Sequence, residues 1–227
     1  FIGSIMPESE LRSLPSQTDW FKYGPTFVYY KYVFLSPFGY TFPDDPYLRW
    51  TLRVMTILNI SYFFRIALNS FIVALAVCAL NLVLGTIAAY PFARGTFRGN
   101  TLMFIFILLS RLLPPVAIAV PYYTICLALG LTNSLWSVIV VHSVLTLPFT
   151  IWYLTLYYRS IPVDIEEAAL VCGASPLGSL LRITIPLASS GLVAIGLFSF
   201  LLSYNEFLFS QFLLEKIEVQ TIPLFLA

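Results

Sequence analysis

Four long apolar stretches, separated by short polar segments, occupy most of the chain after residue 65. Each stretch is longer than the about 20 residues that an α-helix needs to cross a bilayer. The pattern therefore predicts an all-α protein, a polytopic bundle of transmembrane helices. The predicted spans are residues 66–91, 102–127, 134–158 and 190–214.

The composition agrees with a membrane protein and argues against several other classes. The chain is 59% hydrophobic and 10% charged, and its net charge of +1 indicates no nucleic-acid partner. Its three cysteines share no ligand spacing and it has one histidine, so no metal site, disulfide or catalytic residue is expected. It also lacks a glycine-rich phosphate-binding loop, so we expect the chain itself to bind no ATP or other cofactor.

Residues 1–65 differ from the rest of the chain. Residues 1–5 look like the end of an apolar run, and the segment after them is rich in proline, glycine and aromatic residues. Tyrosine and tryptophan favour the boundary between membrane and water. We therefore expect the end of a truncated first span, followed by an extracytoplasmic or interfacial segment, ahead of a transmembrane core over residues 66–227.

The charges of the short loops predict which side of the membrane each loop faces. Loops 92–101 and 159–189 carry arginines, whereas segment 128–133 carries no charge. Because cytosolic loops are enriched in lysine and arginine, the first two loops are predicted to be cytosolic. Segments 128–133 and 215–222 are then predicted to face the other side. Residues 1–65 would also be external despite their basic residues, because the rule weakens in segments of about 60 residues.

The segment 161–186, IPVDIEEAALVCGASPLGSLLRITIP, is polar and has two short helix signals. Ser160 and Pro162 are typical of a helix start, and Gly173 is typical of a helix end. The first helix is predicted to have one apolar face of small side chains, with Glu166 and Glu167 off that face. The residues of this face are Ile165, Ala168, Ala169 and Cys172.

Ser175-Pro176 repeats the start signal for a second helix, striped by leucines and predicted to end at Pro186. The small side chains of the first helix would let another surface approach closely. From the residues alone, a second interpretation is open: an amphipathic loop that rests on the bilayer surface.

This loop resembles the EAA loop of ABC importer permeases. The resemblance rests on Glu167-Ala168-Ala169, three residues, Gly173, nine residues, Ile183, one residue, and Ile185-Pro186. Ile185, where the family more often has leucine, is the departure within this frame. The match runs from about Ile66 to Ala227 and is weak before that.

Further motifs occur in the order seen in the maltose-type, carbohydrate-importing branch of these permeases. Two positions depart from that branch: Cys172 stands where an aspartate often precedes the loop glycine, and Tyr204 where tryptophan is common. The motifs are Gly85 to Arg98, Pro114-Pro115 through Pro121, Leu147-Pro148-Phe149, Gly191-Leu192 and Asn205-Glu206-Phe207.

The resemblance implies the fold of a type I ABC importer permease, with a cytosolic EAA helix–turn–helix, in a prokaryotic cytoplasmic membrane. It implies two cytosolic subunits that bind ATP and magnesium, a second permease subunit, and an extracytoplasmic protein that delivers a sugar, oligosaccharide or polyol. The family would continue beyond residues 220–223 into another span, so we expect that last span to be missing here. The residues implied to couple the loop to the ATPase are Glu166, Glu167, Ala168, Ala169, Gly173, Ile183 and Pro186.

Several polar residues fall inside the apolar stretches, where such residues usually face a bundle interior or a watery cavity. Arg111 is either functional or paired with Glu206, and His142 is expected to bond to a neighbouring helix. Pro114-Pro115 must break or kink the second predicted span, because proline removes a backbone donor. Arg111, Pro114 and Pro115 are therefore candidates for the translocation pathway, and the resemblance implies that Tyr204, Asn205 and Glu206 lie near it as well.

Three alternatives remain open on the sequence. The chain could be a permease for another solute, such as a polyamine, phosphate or an amino acid. It could be an ion-coupled secondary transporter that uses Arg111, His142 and Glu206 as a relay, although this leaves the loop without a role. It could also be a scaffold or sensor in which the loop serves only as a docking site.

Overall fold

The computed structural model describes Phe27, residues 62–95 and residues 97–227. The expectations for the start of the chain, up to residue 61, lie outside these residues apart from Phe27. The chain divides into two compact units, Phe1–Arg65 and Ile66–Ala227. The helices below lie in the second unit, apart from residues 63–65, which begin the first helix.

Every regular element of the described residues is helical, which confirms the predicted all-α fold. Short 3-10 turns lie at Ser110–Leu112 and Ile217–Val219, and a π-helical segment lies at Leu180–Thr184. The α-helices are α1 (Phe63–Arg94), α2 (Asn100–Leu109), α3 (Pro115–Ala128), α4 (Leu135–Arg159), α5 (Val163–Val171), α6 (Pro176–Ser179), α7 (Ile185–Leu187), α8 (Ser189–Tyr204), α9 (Leu208–Leu213) and α10 (Ile222–Leu226).

Judged by length and apolar character, α1 and α4 could each cross a bilayer. Two bent pairs pass the same test when each pair is taken as one span, which raises the possible number of spans in the described residues to four. The helices α1 and α4 agree closely with the predicted spans 66–91 and 134–158. The other two predicted spans are interrupted.

The predicted span 102–127 breaks where the proline pair lies, as the sequence indicates. Helix α2 and its 3-10 turn meet α3 at a bend of 95°. Pro114 is extended, with φ −63° and ψ 127°, and Pro115 opens α3. A residue that precedes a proline is disfavoured in the helical region, and proline is well tolerated in a first helical turn. The two prolines therefore end one helix and start the next.

The predicted span 190–214 is also interrupted. Helix α8 ends at Tyr204, and the chain becomes helical again only at Leu208. Two side chains bond to the backbone at the break, and one of them, Glu206, satisfies a group that a continuous helix would use. Asn205 Nδ2 donates to the carbonyl of Leu201 at 2.8 Å, and the Glu206 carboxylate accepts from the backbone N–H of Phe209 at 3.0 Å.

Helices α1, α4 and α8 pack closely through two glycines. A Cβ atom at Gly85 of α1 would lie 2.6 Å from Cγ2 of Thr150 on α4. A Cβ atom at Gly191 of α8 would lie 2.6 Å from the ring of Tyr157, also on α4. Small residues permit this kind of close approach between transmembrane helices. The buried core follows these contacts in two clusters, one of which adds α3 and α9.

Two contacts join loops that lie far apart in the sequence. Loop 92–101 and loop 159–189 meet through Arg94 and Glu166. At another point, Asn133 Oδ1 accepts from the backbone N–H groups of Glu215 at 2.7 Å and Lys216 at 3.0 Å. Each contact joins two segments that were predicted to face the same side.

Candidate functional site

Helix α5 begins two residues later than its sequence signals suggest. Pro162 is the N-cap, with φ −56° and ψ 129°. The expectation that Ser160 takes part in this start is wrong, because Ser160 ends α4 and its hydroxyl donates to the carbonyl of Tyr157 at 2.7 Å. The proline alone turns the chain into α5.

A Schellman motif at Gly173 ends α5 as predicted. Gly173 has φ +90°, a conformation that glycine adopts without steric cost. Its N–H donates to the carbonyl of Leu170, and the N–H of Ala174 donates to the carbonyl of Ala169, both at 3.0 Å. These are the two bonds of the motif. A Cβ atom at Gly173 would meet nothing within 4 Å, so the backbone angle alone requires glycine here.

The second helix starts as predicted but ends later. Ser175 Oγ accepts from the N–H of Gly178 at 3.0 Å, which is an N-cap bond. The prediction that Pro186 ends the helix is wrong: the π-helical segment and α7 carry it to Leu187, where a bend of 79° leads into α8. Pro186 lies in the first turn of α7, where a missing N–H is tolerated.

Helix α5 exposes its apolar side chains. The predicted small-residue face points outward, since Ile165, Ala168 and Cys172 are exposed and Ala169 is half-buried. Val171, which follows this face, is 89% exposed. An apolar surface of this kind is typical of a protein–protein contact. The helix therefore presents a surface suited to a partner.

One carboxylate is the only buried side chain of α5. Glu166 is 4% exposed. Its Oε2 accepts from the Tyr90 hydroxyl at 2.9 Å and from Arg94 Nε at 3.0 Å. Its Oε1 accepts from Arg94 Nη2 and from the Thr184 hydroxyl, the latter at 2.8 Å. We call these four residues the Glu166 cluster. The cluster joins the end of α1, helix α5 and the π-helical segment.

The cluster stabilises the ionised carboxylate. Burial alone would raise the pKa of Glu166, but hydrogen bonds from Arg94, Thr184 and Tyr90, together with the charge of Arg94, hold the pKa below its ordinary value of 4.5. Glu166 is therefore charged at neutral pH and forms a buried ion pair with Arg94. Such a pair is stable only when hydrogen bonds complete it, as they do here.

The sequence did not reveal three members of this cluster. Tyr90, Arg94 and Thr184 were not among the predicted site residues, and Glu166 was expected on the helix surface. The remaining predicted coupling residues lie apart from the cluster: Glu167 and Pro186 are exposed, and Ile183 is half-buried. The sequence carries no local signal for this contact, because Tyr90 and Arg94 lie 76 and 72 positions before Glu166.

A second polar cluster lies where α8 breaks. His142 of α4 is 1% exposed, and its Nε2 lies 2.8 Å from Glu206 Oε2. Its Nδ1 lies 2.9 Å from the Ser203 hydroxyl. The prediction that His142 bonds to a neighbouring helix is confirmed. The alternative pairing of Arg111 with Glu206 is wrong, since Glu206 bonds to His142 and to the start of α9, whereas Arg111 is exposed.

Among the described residues, none of the other pathway candidates forms a hydrogen bond with the Glu206 side chain, which contacts His142, Phe209 and Ser210 instead. Pro114 and Pro115 are exposed next to Arg111 at the bend between α2 and α3. Tyr204 stacks on Phe200 of its own helix, with ring centroids 5.8 Å apart. Within residues 62–95 and 97–227, no group of three or more histidine, cysteine or acidic residues could hold a metal ion.

These features define a helical membrane protein with a polar loop whose first helix exposes its apolar side chains. Residues 81–224 match the family described as the binding-protein-dependent transport system inner membrane component. The chain belongs to this family.

Two relatives and one solved structure illustrate the similarity. The chain is 30% identical to the sulfoquinovosyl glycerol transport system permease protein SmoH of Agrobacterium fabrum, over 97% of the chain and 68% of the relative. It is 34% identical to the diacetylchitobiose uptake system permease protein NgcG of Streptomyces coelicolor, over 78% of the chain and 57% of the relative. The chain thus spans little more than half of some relatives.

A similar fold occurs in the crystal structure of a bacterial ABC transporter involved in the import of the acidic polysaccharide alginate. The TM-score is 0.63 with 24% sequence identity, and the match covers 72% of this chain and 56% of that chain. The similarity shows a shared helical permease fold.

Proposed function

We propose that this chain is a permease subunit of an ATP-driven importer for a sugar, oligosaccharide or polyol, in the cytoplasmic membrane of a prokaryote. The observation that carries the proposal is helix α5. Its apolar residues are exposed, while its one buried side chain fixes it to the end of α1. A helix held in this way can transmit a force that a partner applies to its exposed face.

Two cytosolic ATP-binding subunits are the proposed partners of this surface. The chain supplies no ATPase site, so ATP and magnesium are bound by those subunits, and their closure moves two loops of the α5 type. Glu167, Ala168, Ala169 and Gly173 form the contact or the turn that supports it. A second permease subunit provides the other loop, and an extracytoplasmic binding protein delivers the solute.

A carbohydrate solute is favoured by the relatives. SmoH and NgcG are named for transport of sulfoquinovosyl glycerol and uptake of diacetylchitobiose, both of which contain sugar units. Tyrosine and phenylalanine, with 14 and 20 residues in this chain, supply aromatic faces on which sugar rings can stack. Tyr204, Asn205 and Glu206 are proposed to lie beside the pathway.

Reconstitution into liposomes tests the proposal. The assembled transporter, with its ATPase subunits and binding protein, is expected to take up labelled diacetylchitobiose, trehalose or a polyol only when ATP is supplied. Putrescine and phosphate serve as comparison solutes. Uptake of those two and of no carbohydrate would overturn the solute class. Uptake that collapses with a protonophore while ATP persists would identify an ion-coupled transporter instead.

A further inference from the structure

The Glu166 cluster is more extensive than the end of a short helix needs. The C-terminus of α5 is already completed by the bonds of Gly173 and Ala174, and Pro162 sets its start. Yet Glu166 accepts hydrogen bonds from two residues of α1, Tyr90 and Arg94, which lie more than 70 positions earlier in the chain. The cluster therefore serves the connection between α5 and α1.

The same carboxylate also holds the second helix of the loop. The Thr184 hydroxyl donates to Glu166 Oε1 at 2.8 Å, and Thr184 is itself fully buried. Its carbonyl accepts from the N–H of Ala188, the residue at which the chain bends into α8. One side chain thus connects α5 to α1 and to the segment that leads into α8.

Helix α1 extends this connection across the bundle. It is one helix of 32 residues, about 48 Å long at 1.5 Å per residue. Towards its other end, Asn69 Nδ2 donates to the carbonyls of Glu218 at 2.9 Å and Gln220 at 3.1 Å. Helix α1 thus joins the Glu166 cluster near its C-terminus to segment 218–220, which is predicted to face the outside, near its N-terminus.

We infer that Glu166 is a positioning residue that fixes the docking helix α5 to the Arg94 end of α1, so that movement of α5 is delivered to the transmembrane helices. This inference rests on the proposed function. If Glu166 only helped the loop to fold, its replacement would lower the amount of assembled transporter without changing the solute moved per ATP hydrolysed.

The decisive measurement is the ratio of solute transported to ATP hydrolysed, in reconstituted transporter of equal assembled amount. Glu166→Gln and Arg94→Gln are each expected to keep ATP hydrolysis but to lower this ratio about tenfold, within the range typical of coupling between two sites. The double variant is expected to be no worse than either single variant, because both remove one interaction.

Asp164→Asn is the matched control. It removes one carboxylate charge from the same helix, but Asp164 is exposed and outside the cluster. Its ratio is expected to equal that of the wild type. Equal ratios in the wild type, Glu166→Gln and Arg94→Gln would overturn the inference, as would an equal loss in Asp164→Asn.

Two milder variants keep the test decisive if Glu166→Gln fails to assemble. Tyr90→Phe and Thr184→Val each remove a single donor to Glu166, and both are expected to lower the ratio by a smaller factor. Wild-type ratios in both would then overturn the inference. Failure of the proposed function is distinguishable, since the wild-type complex itself would show no ATP-driven uptake of solute.

Discussion

At the scale of single residues, the most informative feature is a charged side chain in an unexpected environment. Amphipathic spacing places Glu166 off the apolar face of α5, yet it is the residue that the protein buries. A buried charge is stable only with a partner and with its hydrogen-bonding groups satisfied. Removing one partner of such a pair typically costs about 3–5 kcal/mol. The cluster thus fixes α5 more firmly than its exposed surface suggests.

The ionisation of Glu166 predicts how stability depends on pH. Because its folded pKa lies below 4.5, the ionised carboxylate stabilises the fold above that pH, and the contribution is lost as pH falls through the folded pKa. The difference in unfolding temperature between wild type and Glu166→Gln should therefore stay constant between about pH 8 and pH 6 and shrink in more acidic buffer. Thermal unfolding in detergent measures it. If the difference in unfolding temperature already shrank above pH 6, the pKa of Glu166 in the folded protein could not lie below 4.5.

At the scale of elements, the contact between α1 and α4 depends on the absence of one methyl group. Gly85 and Thr150 leave no space for a Cβ atom, since it would lie 2.6 Å from Thr150 Cγ2. The Thr150 hydroxyl lies 3.1 Å from the Ser199 hydroxyl, so this residue also connects α4 to α8. The three helices are therefore fitted to one another at this level of the bundle.

This contact predicts that a second substitution can restore the stability lost by enlarging Gly85. Gly85→Ala should destabilise the protein by about 1–3 kcal/mol, as is typical of overpacking. Adding Thr150→Ser should restore most of the loss, because serine lacks the clashing methyl group but keeps the hydroxyl that contacts Ser199. Thr150→Ser alone is the control, and the unfolding temperature is the measurement. A double variant that is no more stable than Gly85→Ala would show that the clash with the Thr150 methyl group does not cause the loss of stability.

At the scale of the whole molecule, the exposed cysteine tests the predicted sidedness. Cys172 is exposed beside the turn after α5, whereas Cys78 is half-buried and Cys126 is buried. A thiol reagent that cannot cross membranes should label Cys172 in inside-out vesicles and not in right-side-out ones. A Cys172→Ser, Lys216→Cys variant should give the opposite pattern, because Lys216 lies in the segment predicted outside. Labelling of both from one side would overturn the predicted topology.

Much of this fold could be predicted because its signals are local. The long apolar stretches predicted α1 and α4, and Pro114-Pro115 predicted the bend between α2 and α3. The break after Tyr204 was missed because it depends on side chains that satisfy backbone groups, which apolar periodicity does not reveal. The helix pair of loop 159–189 was predicted from Pro162, Gly173 and Ser175, but no sequence signal indicated the π-helical segment at Leu180–Thr184.

The Glu166 cluster could be predicted only in part, for a different reason. The sequence identified the loop and placed Glu166 within it, but Tyr90 and Arg94 lie 76 and 72 positions away. Their contact arises from how the ends of α1 and α4 pack, and neither local spacing nor composition contains that information. The same holds for His142 and Glu206, which lie 64 positions apart.

The four hydrogen bonds on Glu166 use all of the acceptor sites of its carboxylate. An ionised carboxylate has about four lone-pair sites, and Tyr90, Arg94 and Thr184 together occupy as many. Glu166 is thus saturated and has nothing left to offer an incoming cation. Of the two adjacent glutamates, only the exposed Glu167 has vacant acceptor positions for an arginine or lysine of another subunit. The two adjacent glutamates are therefore chemically distinct: Glu166 can accept no further hydrogen bond, whereas Glu167 can still accept one from another subunit.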